Sequence, residues 1–352
     1  MNISIDELTW FGRTFDYQNA RFFDYSASGF SFTMHGKKAE ATILSDPEHF
    51  DEHTKGVLGI FVIHPDGATS LTKAVLLEKQ NKITLYESSS DETVQIKVMR
   101  FSEAVYGYSG LSNLELDGQL LKSADKATPS LKLEFIGDSI TCGYGVEGVF
   151  EKDVFDTRQE RPDLAYAYLT AQKLGAEYHL VSRSGIGLIS CYTDPQTVQL
   201  PNTVEPLMSQ LWPYTDRFLA TRLGLEPEIW DESKFSPDIV ILHLGTNDAS
   251  WVRGLEDRRL SFVNLYKQML EAIHRRSPKA KIVGCLGAMG QDLCASAAQA
   301  FEEFKKDFPS VQTKFVKFPV QDEANDGVGT DWHPSAKTHQ KVAEQLAKEL
   351  KF

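Results

Sequence analysis

The chain has 352 residues, a formal net charge of −12, and 41% hydrophobic and 24% charged residues. Single cores rarely grow past about 250–300 residues, so two domains are expected. The acidic balance, with no basic block, argues against nucleic acid or an anionic membrane surface as the main partner.

No stretch approaches the roughly 20 apolar residues of a membrane span. The N-terminal MNISIDELTWFGRTFDY lacks the basic start and apolar core of a signal peptide. A cytoplasmic location is therefore expected, unless a leader has been removed. Cys142, Cys191, Cys285 and Cys294 form no Cys-x-x-Cys pair and read as free thiols of a reducing compartment.

From the N-terminus to about residue 120 the pattern alternates in the manner of strands. Phe30–Met34, Val57–Ile63, Val75–Leu77, Ile83–Tyr86 and Val94–Met99 are the predicted strands. Turn-formers separate them at Gly36-Lys-Lys, Pro65-Asp-Gly67, Ser88–Asp91 and Asp117-Gly118. Many short strands at this spacing predict an all-β jelly roll or sandwich over residues 1–125.

The polar, small segment Lys122–Ser130 is the predicted linker. Beyond it, over 126–352, the short apolar runs Leu133–Ile136, Tyr178–Val181, Ile239–Leu244, Lys281–Cys285 and Lys314–Phe318 alternate with helical patterns. One helix carries Phe262, Val263, Tyr266, Met269, Leu270 and Ile273 on one face, and the last carries Val342, Leu346 and Leu350. Strands alternating with helices predict a doubly wound, flavodoxin-like parallel sheet, which binds ligands at the C-terminal ends of its strands.

Four segments at those ends could carry chemistry. They are Gly137-Asp138-Ser139, Ser182–Gly187, Gly245-Thr-Asn247-Asp248 and Asp331-Trp332-His333-Pro334. Each alone is ordinary turn and cap chemistry. Together they supply what acyl transfer needs, in one chain order. Ser139 can attack, His333 can take its proton and Asp331 can orient the imidazole. The N–H groups of Ser139 and Gly185 and the Asn247 amide can bind an oxyanion.

These motifs resemble the SGNH (GDSL) hydrolase superfamily over residues from about 131 to 352. GDSITCGYGVEG with SGIGL, GTND and DWHPS resembles carbohydrate esterase family two in particular. The resemblance implies an N-terminal jelly roll joined to a hydrolase domain. It implies Ser139 as nucleophile, His333 as base, and Gly185 with Asn247 in the oxyanion hole. The implied activity is O-deacetylation of xylan, glucomannan and related sugars, with acetylated oligosaccharides as substrate. In the superfamily pattern an Asp stands three residues before the His. Here that residue is Thr330, and Asp331 is only two before. The imidazole N–H can thus meet the Asp331 carboxylate or a backbone carbonyl, and Asp331 is the expectation.

Trp332, Trp251, Tyr192 and Trp212 lie in or beside these segments and are expected to offer faces to sugar rings. Asp138 is expected to brace its turn, Asp248 to cap the following helix, Cys142 to be core, and His243 to be a satisfied core histidine. No motif points to a metal or another cofactor. The chain reads as a serine carbohydrate O-acetylesterase, with a lipolytic esterase or thioesterase and a non-catalytic glycan-binding protein as alternatives.

Overall fold

The computed structural model describes residues 1–122, 131–199 and 206–351. Apart from Lys122, the predicted linker and the boundary at 125/126 lie outside the described residues. The chain divides into two compact units. The first comprises Met1–Pro129 with Asp156–Glu160 and Asp216–Pro227. The second comprises Ser130–Phe155, Arg161–Thr215 and Glu228–Phe352.

The first unit is a curled antiparallel sheet. Its strands are β1 (Thr9–Phe11), β2 (Phe15–Tyr17), β3 (Ala20–Phe22), β4 (Gly29–Leu44), β5 (Val57–Ile63), β6 (Thr69–Val75), β7 (Gln80–Arg100) and β8 (Gly110–Leu121). They run in the order β2-β3-β8-β4-β7-β5-β6, with β1 on β4. The expected turn Pro65-Asp-Gly67 joins β5 to β6. The other three expected turns are not turns. Ser88–Asp91 lies inside β7, and Gly36-Lys-Lys and Asp117-Gly118 lie inside β4 and β8.

The register of β4 explains Gly36-Lys-Lys and Asp117-Gly118, while Ser88–Asp91 are the residues of β7 between its pairs Glu87–Lys38 and Glu92–Gly36. The pairing of β4 shifts between Gly36 and Lys38 against both neighbours. Phe30, Phe32 and Met34 are buried before the shift, and Ala39, Ala41 and Ile43 after it, so the buried parity changes by one. A bulge does this by inserting one residue into a strand that stays paired. Gly36 and Gly118 face each other there. A Cβ on either would come within 2.6 Å of the other's Cα, so both positions require glycine.

Two short stretches from beyond residue 126, Asp156–Glu160 and Asp216–Pro227, belong to this unit, which the ranges 1–125 and 126–352 do not include. Polar side chains seat them. Arg222 donates to the Asp46 carboxylate at 3.0 Å and to the Val105 carbonyl at 2.6 Å. The Asp156 carboxylate lies 3.1 Å from His53 Nδ1. Hydrophobic periodicity carries no signal of such pairings.

The second unit holds β9 (Lys132–Gly137), β10 (Glu177–Ser182), β11 (Ile239–His243), β12 (Lys281–Ala288) and β13 (Thr313–Val320), all parallel, in the order β10-β9-β11-β12-β13. The predicted runs fall on these strands. Helix Glu256–Arg276 buries Phe262, Val263, Tyr266, Met269, Leu270 and Ile273, as its spacing predicts. Strand order reverses around β9, so a ligand crevice is expected beyond the ends of β9, β10 and β11. The segments after those three strands are the ones the sequence singles out.

Candidate active site

The buried strand β9 delivers Gly137-Asp138 to the start of a short helix, α1 (Ser139–Cys142). Asp138 caps it, with Oδ1 accepting from the Ile140 N–H at 3.1 Å. Ser139 is its first residue, so its own N–H has no intrahelical acceptor. Ser139 Oγ lies 2.8 Å from His333 Nε2. A hydroxyl and an imidazole at this distance form a nucleophile–base pair.

The loop carrying His333 is laced to the segment after α1. The Thr330 N–H donates to the Gly145 carbonyl at 3.1 Å, and the Gly329 N–H to the His333 carbonyl at 2.8 Å. A Cβ on Gly329 would sit 2.3 Å from the Gly145 oxygen, so only glycine permits this approach. Gln321 Nε2 donates to the Trp332 carbonyl at 2.7 Å. Ser335 then caps helix α2 (Ala336–Glu349), accepting from the Thr338 N–H at 3.3 Å.

The structure does not bring the Asp331 carboxylate to the imidazole. His333 Nδ1 lies 3.2 Å from the carbonyl oxygens of both Thr330 and Asp331. The Asp331 carboxylate accepts instead from the Tyr144 hydroxyl, at 2.8 Å. The expected orienter is thereby corrected from a side chain to the backbone. The two-residue spacing, with Asp331 at φ +51°, brings the carbonyl to the ring and sends the carboxylate elsewhere.

The oxyanion donors gather beyond β10 and β11. Gly185 has φ +75°, and its N–H, like that of Ser139, has no protein acceptor among the described residues. Asn247 sits in helix Thr246–Val252. Its Nδ2 donates to the Ile186 carbonyl at 2.8 Å and lies 3.5 Å from Asp138 Oδ2. One amide hydrogen is thus well spent, and the second is only loosely matched. Asp248 lies inside that helix and does not cap it. Its Oδ1 accepts from the N–H groups of Leu188 at 2.8 Å, Ile189 at 2.7 Å and Ser190 at 3.4 Å, gathering the loop that holds Gly185. Burial raises Asp248 to about 6 despite those donors, and raises Asp138 to about 7.

The model of the GDSL-like lipase/acylhydrolase family matches residues 135–341. Cellulase/esterase CelE of Acetivibrio thermocellus is 32% identical over 333 residues, covering 93% of this chain and 37% of CelE. The chain therefore spans little more than a third of that relative's length. An acetylxylan esterase / glucomannan deacetylase of Cellvibrio japonicus is 27% identical over 282 residues, covering 80% of this chain and 73% of that protein. A structure of a family two carbohydrate esterase from Clostridium thermocellum in complex with cellohexaose matches with TM-score 0.82 and 30% identity, covering 98% of each chain. The chain belongs to the GDSL-like acylhydrolases, as a family two carbohydrate esterase.

The four expected aromatics divide. Tyr192 is 63% exposed, and its N–H donates to the Gly185 carbonyl at 2.7 Å, beside the oxyanion donors. Trp332 is half-buried, with Phe150 edge-on at 5.1 Å. Trp212 is 1% exposed and Trp251 8%. Trp251 lies under the Arg258 guanidinium, 3.6 Å from its ring centre. Both indoles serve packing, which corrects their expected place on a sugar-binding wall.

Beneath the site, Cys142 is buried and its thiol faces Ser182 Oγ at 3.1 Å. Among the described residues no disulfide joins any of the four cysteines. His243 is core but not satisfied. Tyr166 and Phe318 meet its ring edge-on, and neither ring nitrogen has a partner among the described residues. Burial lowers it to about 3, so it stays neutral. His339 accepts from the Tyr166 N–H at 3.1 Å, a contact no motif announces. Among the described residues no group of three or more His, Cys, Asp or Glu side chains is placed to hold a metal ion. Sequence reasoning also passes over Thr330, whose carbonyl orients the base, and Phe155, which stacks on Tyr144 at 3.9 Å.

Burial lowers His333 to about 4, partly opposed by the Thr330 carbonyl and the Asp331 charge. Desolvation disfavours the imidazolium, so the neutral base persists at lower pH than for an ordinary histidine. Esterase kcat/KM is expected to stay level from neutral pH down to about 5 and to fall through the region of 4. Brief assays with a nitrophenyl acetate, each followed by recovery at pH 7, will read this. A limb centred near 6.5 would show that burial does not govern the base.

Proposed function

We propose that this chain removes acetyl groups from xylan-, glucomannan- or related oligosaccharides through an acetyl-serine intermediate. The observation that carries the reading is the 2.8 Å Ser139–His333 pair, set beside the free N–H groups of Ser139 and Gly185 and the Asn247 amide. The kinship with an acetylxylan esterase / glucomannan deacetylase and with a cellohexaose-binding esterase supports a glycan in the crevice.

The neutral His333 Nε2 accepts the Ser139 proton as Oγ attacks the acetyl carbonyl carbon. Negative charge develops on the carbonyl oxygen, where the three donors stabilise it. The imidazolium that forms keeps its Nδ1–H on the Thr330 and Asp331 carbonyls. It then protonates the departing sugar hydroxyl, leaving acetyl on Ser139. Water attacks that ester with His333 again as base, and acetate leaves. Tyr192, exposed, and Trp332, half-buried, are the aromatics that would receive sugar faces.

Acetate release from a panel of acetylated xylo- and glucomanno-oligosaccharides tests the reading, with Ser139→Ala as control. Release by the native chain and none by the variant is expected. Faster turnover of an octanoyl than of an acetyl nitrophenyl ester would overturn it in favour of a lipolytic esterase.

A further inference from the structure

Tyr144 lies one turn beyond the nucleophile, between two left-handed glycines, Gly143 at φ +78° and Gly145 at φ +61°. This backbone turns its side chain onto the base loop. One face of its ring stacks on Phe155, with centroids 3.9 Å apart and planes 5° apart. The His333 ring lies 4.3 Å from it, tilted by 38°. Its hydroxyl donates to Asp331 Oδ2 at 2.8 Å.

Asp331 and Trp332 both hold left-handed backbone angles, φ +51° and +64°, a conformation unfavourable for residues with side chains. Such a turn persists only when its surroundings hold it. The Tyr144 hydroxyl, the Gln321–Trp332 bond at 2.7 Å, the Gly329–His333 bond at 2.8 Å, and the Thr330–Gly145 and His333–Thr330 bonds at 3.1 Å are among the polar contacts doing so.

We infer that Tyr144 is a positioning residue of the catalytic base. Its ring sets the plane of the His333 imidazole, and its hydroxyl holds the Asp331 carboxylate away from Nδ1, so that two neutral carbonyls orient the base. The inference rests on the esterase reading for its kinetic consequence but not for its geometry. It makes the hydroxyl of residue 144, rather than the absence of a nearby carboxylate, the reason that His333 works without a side-chain acid.

The groups facing His333 are Ser139 from α1, Tyr144, the Thr330 and Asp331 carbonyls, the Asp331 carboxylate, and His339 from α2. Burial keeps His339 neutral, at about 3, so Asp331 is the charged neighbour in this set. The Asp331 charge already favours protonation of His333 from its present place. Released from Tyr144, it is expected to turn to the Nδ1–H and favour protonation further.

Tyr144→Phe keeps the stacked ring and removes the hydroxyl. The readout is the titration of the His333 ring followed by NMR in histidine-labelled protein, assigned with His333→Gln. The expected result is an upward shift of about one pH unit in Tyr144→Phe, absent from Tyr144→Phe/Asp331→Asn. The acid limb of kcat/KM is expected to move by the same amount. Coincident titrations of the native chain and Tyr144→Phe would overturn the inference, as would a shift that persists in the double variant. NMR reads the titration whether or not acetyl esters are the substrate, so failure of the esterase reading shows separately, as no Ser139-dependent acetate release.

Discussion

Replacing His333 by alanine is expected to lower kcat/KM for acetyl esters by about 10⁴- to 10⁶-fold, and Ser139→Ala by a similar factor, because nucleophile and base act as one unit. Their 2.8 Å contact is the only route for the Ser139 proton that the site offers among the described residues. Asp331→Ala is expected to cost at most about tenfold, the scale of a single neutral hydrogen bond, since the imidazole loses no side-chain partner. Steady-state kinetics of the three variants decide the matter. Equal losses for Asp331→Ala and His333→Ala would place the carboxylate on the base during turnover.

Asn247→Ala is expected to reduce kcat by about 10²- to 10³-fold with little change in KM, the signature of a donor used mainly in the transition state. The amide also holds the Ile186 carbonyl at 2.8 Å, next to Gly185, so the variant loosens a second donor as well. Thermal unfolding of the variant separates the two effects. A raised KM with unchanged kcat would show that Asn247 binds ground-state substrate instead.

The catalytic half of this chain was largely legible because its signals are local. Each parallel strand is a short apolar run, and the residues next to Ser139, Gly185 and Asn247 declare themselves at strand ends by glycine and cap chemistry. The face of helix Glu256–Arg276 follows from a 3.6-residue period that every buried member obeys. The β half was legible in class and not in detail. Ser88–Asp91 and Asp117-Gly118 carry turn residues, yet both lie within strands: Asp117 and Gly118 keep their partners on β4, while Ser88–Asp91 bulge from β7 where its pairing passes from Glu87 opposite Lys38 to Glu92 opposite Gly36. Composition alone does not distinguish a bulge from a turn, since both use the same permissive residues.

Side chains whose direction is set from afar were the least legible. Trp212 and Trp251 stand beside catalytic segments in the chain but point into packed interior. Asp248 follows Asn247 directly, yet it serves the loop at 188–190 some 60 residues earlier. Spacing alone points to Asp331 as the orienter of His333, while the partner of its carboxylate, Tyr144, is 187 residues away.

The sequence by itself determined the two-part fold class and singled out Ser139, Gly185, Asn247 and His333 as candidates at predicted strand ends, because hydrophobic period and turn chemistry act over a few residues. Only the tertiary structure decided which oxygen stands behind the imidazole. That choice is a competition between a carbonyl two bonds from the Asp331 Cα and a carboxylate claimed by a tyrosine on another loop. It is settled by distances that exist only once the two loops are laced together at Gly145 and Thr330.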